Sequence, residues 1–154
     1  MIRVKYTDQR RQSRTAALQS LFAADVRDLW DNPTLEWLDE EEELSDETLE
    51  FAQDLLRGVS RMHEGLDHVI TRYAPAWPVN QLSVIDRNIL RMSLFELIYT
   101  PCIPKKTAIN EAVELAKIFG SESSARFING VLGSAMSGIE SGDVASIEPV
   151  PEGR

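Results

Sequence analysis

The sequence predicts an all-α protein, on three observations. Apolar residues recur at three- and four-residue spacing through most of the chain, no stretch shows the clean alternation of a half-buried strand, and prolines and glycines fall between the periodic segments. In the first segment, about Gln9 to Asp25, the spacing of Ala17, Leu18, Leu21, Phe22 and Ala24 gives one buried stripe. Ser45 offers a capping oxygen to a second helix, with Asp46 and Glu47 in its first turn and Leu49, Phe51, Leu55, Leu56 and Val59 facing inward. Its continuation through Leu66, Val69 and Ile70 ends near Pro75. The next helix, after Pro78, is apolar almost all round, from Leu82, Ile85 and Ile89 to Leu94, Leu97 and Ile98, which places it at the centre of the core. It must stop near Thr100, because Pro101 and Pro104 remove backbone donors and bias the residues before them away from helical geometry. Thr107 is then read as the cap of a helix that buries Ile109, Ala112, Val113, Ala116 and Phe119 and closes at Gly120. The last helix, about Ser124 to Ser137, buries Phe127, Ile128, Val131, Leu132 and Met136.

The 154 residues, 43% of them hydrophobic, suffice for one domain with a substantial core. The expected organisation is an N-terminal arm at 1–8, a helical domain at 9–137 carrying an acidic insert at 28–45, and a disordered acidic tail at 138–154. The formal charge of −9 is unevenly distributed: residues 1–27 carry +4 and residues 28–54 carry −12. The rest is nearly neutral, so an acidic total does not exclude a nucleic-acid partner. In the insert, five adjacent carboxylates from Asp39 to Glu43 have no basic neighbour, while Trp30, Leu35, Trp37 and Leu38 offer anchors to the body. No apolar run approaches the roughly 18 residues that span a bilayer, and no signal-peptide core is visible. A soluble, cytoplasmic protein is expected.

Chemistry of catalysis has no visible seat. Cys102 is the single cysteine, His63 and His68 are spaced too far round a helix to share a metal, and there is no phosphate-cradling glycine loop. No cofactor and no metal are expected. The informative cluster is Arg10, Arg11 and Arg14 at the head of the first helix. Arg11, Leu18 and Phe22 fall within about 20° of one line on that helix, and Arg14 about 60° to one side. Guanidinium forks bind phosphate oxygens and exposed rings stack on unpaired bases, which makes single-stranded RNA the natural ligand. The bland alternative is a solvated arginine face with Phe22 in the core. Lys105 and Lys106 in the proline-flanked loop, and Lys117 and Arg126 around Gly120, extend a phosphate-binding surface if these loops lie near the first helix. Arg87 and Arg91 share a helix face, and Asp86 beside them favours a helix start.

Three ordered motifs carry a family resemblance. The runs Ile109-Asn110-Glu111-Ala112-Val113-Glu114-Leu115-Ala116-Lys117, Phe119-Gly120 and Phe127-Ile128-Asn129-Gly130-Val131-Leu132 closely resemble the NusB transcription antitermination factors. So do Ile85-Asp86-Arg87-Asn88-Ile89-Leu90-Arg91 with Leu94-Phe95-Glu96-Leu97, and the stretch from Arg10 to Phe22. Asn110 and Glu111 are read as first-turn residues that serve orphan amides, and Gly130 as a point of close helix approach.

The resemblance implies a bundle of about six to seven helices in two helical subdomains, with no enzymatic activity. It implies binding to boxA-type RNA of rRNA leader transcripts together with NusE, a small-subunit ribosomal protein, in an RNA polymerase antitermination complex with other Nus factors. By motif position Arg10, Arg11, Arg14 and Phe22 face RNA, while Asp86 and Ser121, Glu122, Ser123 and Ser124 lie toward RNA and NusE. Gln12, Thr15, Ser123 and Gly133 depart from common family residues. Fewer charges on the first helix imply weaker and less salt-sensitive RNA binding by the protein alone. Two alternatives stay open: a helical adaptor or homodimer joined through the first helix, and an accessory to rRNA methylation, for which the chain has no room for a methyltransferase domain.

Overall fold

The computed structural model describes residues 6–31, 35 and 44–144, with side chains from residue 9 onward. Among them are five α-helices and one 3-10 turn: α1 Tyr6–Arg27, α2 Asp46–Tyr73, the turn Val79–Gln81, α3 Val84–Tyr99, α4 Lys105–Phe119 and α5 Ser124–Glu140. The class is all-α as expected, and the described residues hold five α-helices where six to seven were anticipated for the chain. The segment of α2 before Gly58 and the segment after it form one continuous rod of 28 residues.

The local chemistry explains the boundaries. Ser45 accepts a hydrogen bond from the Thr48 backbone N–H, and Ser83 accepts one from Asp86, so α2 and α3 both start on serine caps. Helix α3 ends at Thr100, ahead of Pro101. Helix α4 begins at Lys105 directly after Pro104, two residues before the expected cap at Thr107, because Pro104 already has a φ of −57° and its carbonyl accepts from Ala108. That shift moves Asn110 and Glu111 out of the first turn, where they were expected to serve orphan amides. At the other end, α1 closes on Asp28 with φ 54°, the Leu29 N–H reaching Ala24 O and the Asp28 N–H reaching Asp25 O. This is the double-bonded left-handed helix terminus.

Helix α3 touches all four other helices and is the shared centre of two pairs, α1 with α2 and α4 with α5. Its residues Ile89, Leu90, Met92 and Leu94 are almost inaccessible to solvent, as its all-round apolar pattern requires. Gly58 lets α2 approach α3: a methyl group there would collide with the Phe95 ring. Gly130, expected to do the same in α5, meets nothing within 4 Å of an added Cβ; its motif neighbour Asn129 is also exposed, so this part of the signature faces outward.

Both expected chain ends need correction. Tyr6–Gln9 continue α1, so the arm expected at 1–8 is partly helix; residues 1–5 lie outside the described residues. The expected tail boundary at 138 is late in α5, which runs to Glu140, and Val144 folds back into the core while the Asp143 carbonyl accepts from Arg72. Residues 145–154 lie outside the described residues. Of the insert anchors, Leu35 is buried in the core and Trp30 stacks on His63 at 4.5 Å between ring centroids. Trp37, Leu38 and the Asp39–Glu43 run fall outside the described residues. Within them, no helix is long and apolar enough to cross a membrane, and no group of three or more His, Cys, Asp and Glu side chains is placed to hold a metal.

Candidate RNA interface

Helix α1 carries two different faces. Ala17, Leu18, Leu21 and Ala24 are buried against α2 and α3, and Ser13 is buried with its hydroxyl donating to the Thr48 carbonyl at 2.8 Å. Arg14 belongs to the same face, spaced three, four and seven residues before Ala17, Leu18 and Leu21. Its guanidinium is therefore turned inward, with Nη2 at 2.6 Å from Glu96 Oε1 and Nε at 3.0 Å from Oε2. The two side chains retain only 4% and 1% of their exposure. Arg14 was expected to meet RNA on the helix surface; instead it is turned inward, neutralises the one carboxylate in the apolar half of α3 and holds α1 in register, reaching solvent only at the floor of a cleft.

The remaining α1 candidates reach the surface. Arg11 makes a two-pronged pair with Glu111 of α4 at 3.0 and 3.1 Å while keeping 40% of its side-chain exposure. The Arg10 guanidinium lies 3.9 Å from the centroid of the Phe51 ring. Phe22 is 39% exposed and is followed at helical spacing by the exposed Val26 and Leu29. Its ring is available for stacking and is not part of the core.

Cross-helix pairs fix how these groups align with the loops. Arg14 meets Glu96 near the end of α3, and Asp25 meets Arg87 and Asn88 near its start, so α1 runs antiparallel to α3. After the 100–104 turn α4 begins beside the N-terminal half of α1, where Arg11 and Glu111 are level. At about 1.5 Å per residue, Phe22 lies roughly 16 Å beyond Arg11, and the loop after Gly120 about 15 Å beyond Glu111. Ile103 and Pro104 face Arg10, so Lys105 and Lys106 sit at the Arg10 end of α1. Lys106, Lys117 and Arg126 are exposed, with Lys117 at 3.3 Å from Glu114; Lys105 is half-buried.

Among the partner-side candidates, Glu122 and Ser123 are exposed. Ser124, by contrast, is buried: its hydroxyl accepts from the Ser121 N–H at 2.9 Å and ties the loop together. It shapes that loop from inside and presents no surface of its own. Asp86 is half-buried, and its Oδ1 lacks a hydrogen-bond partner among the described residues.

Arg87 and Arg91 do not extend the basic surface. Arg87 grips Asp25 at 2.7 and 2.8 Å, while Arg91 bonds Asp67 at 2.7 and 2.9 Å and Asp25 at 2.9 Å, with Asn88 bonding both Asp25 and Arg91. This network bolts α1, α2 and α3 together. Burial by itself would raise the Asp25 carboxyl, but hydrogen bonds and charge from Arg87, Arg91 and Asn88 outweigh it and hold the group below the ordinary carboxylate range. Burial likewise opposes the charge on Arg91, and its bonds to Asp67 and Asp25 more than restore it.

Comparison with known proteins places the chain in a family. The NusB family model matches residues 11–137. The transcription antitermination protein NusB of Dehalococcoides mccartyi strain CBDB1 is 48% identical over 128 residues, covering 83% of this chain and 90% of the relative. That of Chloroflexus aggregans is 45% identical over 138 residues, covering 88% and 92%. A solved structure of T. maritima NusB superimposes with a TM-score of 0.73 at 37% identity, covering 83% of this chain and 90% of that one. A NusB solved with NusE and double-stranded RNA gives 0.75 at 26% identity, covering 84% and 96%. The chain belongs to the NusB family of transcription antitermination proteins.

Proposed function

We propose that this protein binds boxA-type RNA of rRNA leader transcripts together with NusE, and so supports rRNA transcription by RNA polymerase with other Nus factors in the cytoplasm. The role is recognition, without catalysis. The observation that carries the reading is the likeness, over 84% of the chain, to a NusB solved with NusE and RNA. The RNA-facing surface runs from Arg10, Arg11, Lys105 and Lys106 to Phe22, Lys117 and Arg126. Cations hold the phosphates, and the Phe22 ring receives an unpaired base. Arg11 and Lys117 already lie beside carboxylates, which tempers the charge offered to phosphate and fits a protein that needs a partner for firm binding.

The half-buried Asp86 and the exposed Glu122 and Ser123 offer carboxylate and hydroxyl acceptors to a basic ribosomal protein. A second reading, docking of a protein or a second copy of the chain through α1, draws on the exposed stripe Phe22, Val26 and Leu29. Titration of a boxA-like RNA and a scrambled control, with and without NusE and across a salt series, tests the proposal. Sequence-selective binding strengthened by NusE and weakened by salt is expected. Equal affinity for both RNAs in the presence of NusE overturns it. Light scattering with and without RNA tests the second reading.

A further inference from the structure

A cleft of about 140 Å³ opens between the N-terminal half of α1 and the start of α4. Arg10 and Arg14, one turn apart on α1, form one side; Thr107 and Glu111, one turn apart on α4, form the other; Ile103 and Pro104 of the intervening loop close the end. The family resemblance gives this cleft no role, and the surface described above passes directly over it.

Size and chemistry narrow its occupant. The volume is close to the roughly 150 Å³ of a cavity that accepts a single benzene ring, so one six-membered ring fits within the cleft and a fused purine would project from its open side. Walls of Ile103 and Pro104 favour a flat apolar face. Arg14, almost fully buried and already neutralised by Glu96, supplies donors in the floor without surplus charge. A phosphate group would meet the Glu111 carboxylate, which lines the cleft and is only 12% exposed. A neutral base suits it better. Each Glu111 oxygen accepts one bond from Arg11 and keeps capacity for another. A carboxylate accepts from the cytosine amino group and repels the corresponding uracil carbonyl.

We propose that this cleft is a subsite for a single cytosine base of a bound RNA, with the ring against Ile103 and Pro104, its carbonyl toward the arginines and its amino group on Glu111. The proposal rests on the RNA-binding reading above and adds a specificity determinant to it. Glu111 thus has two tasks, positioning Arg11 and selecting the base.

The test is a set of short oligouridines, each with one cytosine or one adenine moved along the strand, titrated against the full chain. Cytosine at one position is expected to tighten binding by about five- to tenfold over uracil, with no such gain from adenine. Thr107→Trp, at an exposed rim position, fills the cleft and should erase that preference. Glu111→Gln, whose amide can present either an acceptor or a donor, should erase it as well; because the readout is a ratio, a general loss through Arg11 cancels. Circular dichroism establishes that both variants fold. Binding without positional preference, or a preference that survives Thr107→Trp and Glu111→Gln, overturns the cytosine subsite and leaves the RNA-binding reading standing. Failure of the parent chain to bind these strands and a boxA-like RNA alike, with NusE as without it, overturns both.

Discussion

The Arg14 Nη2 atom lies 2.6 Å from Glu96 Oε1 in a pair that both chain segments hide from water. Such a pair is strongly coupled to the fold, because removing one member strands the other's charge in the interior. Arg14→Ala is therefore expected to lower unfolding free energy by about 3–5 kcal/mol. The double substitution Arg14→Met with Glu96→Leu should recover most of that loss. Urea unfolding of the single and double variants measures both. A single variant as stable as the parent would contradict the buried pairing.

Arg11 presents the opposite case, although it stands only three residues away. Its pair with Glu111 keeps 40% of the arginine side chain exposed, and exposed pairs contribute roughly 0–1 kcal/mol to stability. Arg11→Ala should leave the thermal midpoint nearly unchanged and weaken RNA binding by about 1–2 kcal/mol through lost charged hydrogen bonds. Side-by-side calorimetry and RNA titration separate the effects. Loss of stability without loss of affinity would reassign Arg11 to the scaffold.

Asp25 makes the fold acid-sensitive. Its folded carboxyl titrates below the unfolded value of about 3.9, so the unfolded chain takes up the proton first as pH falls. The associated stability is fully present above that unfolded value and is lost as pH drops through the folded one. Asp25→Asn should destabilise the protein at neutral pH, because it loses the charged bonds to Arg87 and Arg91. It should also flatten the decline of stability below about pH 4. Thermal midpoints of parent and variant from neutral pH down to acid give the comparison; parallel curves would assign the acid limb to other carboxylates.

Much of this architecture is legible in the sequence. The all-round apolar pattern of α3 marked the central helix, and Ser45 and Pro101 marked real boundaries, because caps and prolines act through neighbours a few residues away. Arg14 was legible in part. It continues the spacing of Ala17, Leu18 and Leu21, and Glu96 stands as a lone carboxylate within an apolar run that demands a partner. Charge alone suggested a solvent-facing group, and burial with a counter-ion prevailed. The Asp25 network had no such signal, since its partners Arg87, Asn88 and Arg91 are more than sixty residues away and only folding makes them neighbours. The exposure of Phe22 was equally undecidable from periodicity, because it sits on the line shared by buried Leu18 and half-exposed Arg11 at the edge of the stripe.

The end of α1 offers a stabilising substitution. Asp28 holds a left-handed φ of 54°, a conformation in which a Cβ costs about 1 kcal/mol and glycine is at ease. Its carboxylate also lies at the negative end of the helix dipole, an unfavourable placement for an acid. Asp28→Gly removes both penalties while the Leu29 N–H to Ala24 O bond at 2.8 Å keeps the terminus in place. The expected gain is about 1 kcal/mol, or roughly 3 °C in thermal midpoint for a chain of this size. Asp28→Ala distinguishes the causes, since alanine removes the charge and keeps the backbone strain. A glycine variant more stable than the alanine variant assigns the effect to the backbone; equal midpoints assign it to charge; a glycine variant less stable than the parent contradicts the strained terminus.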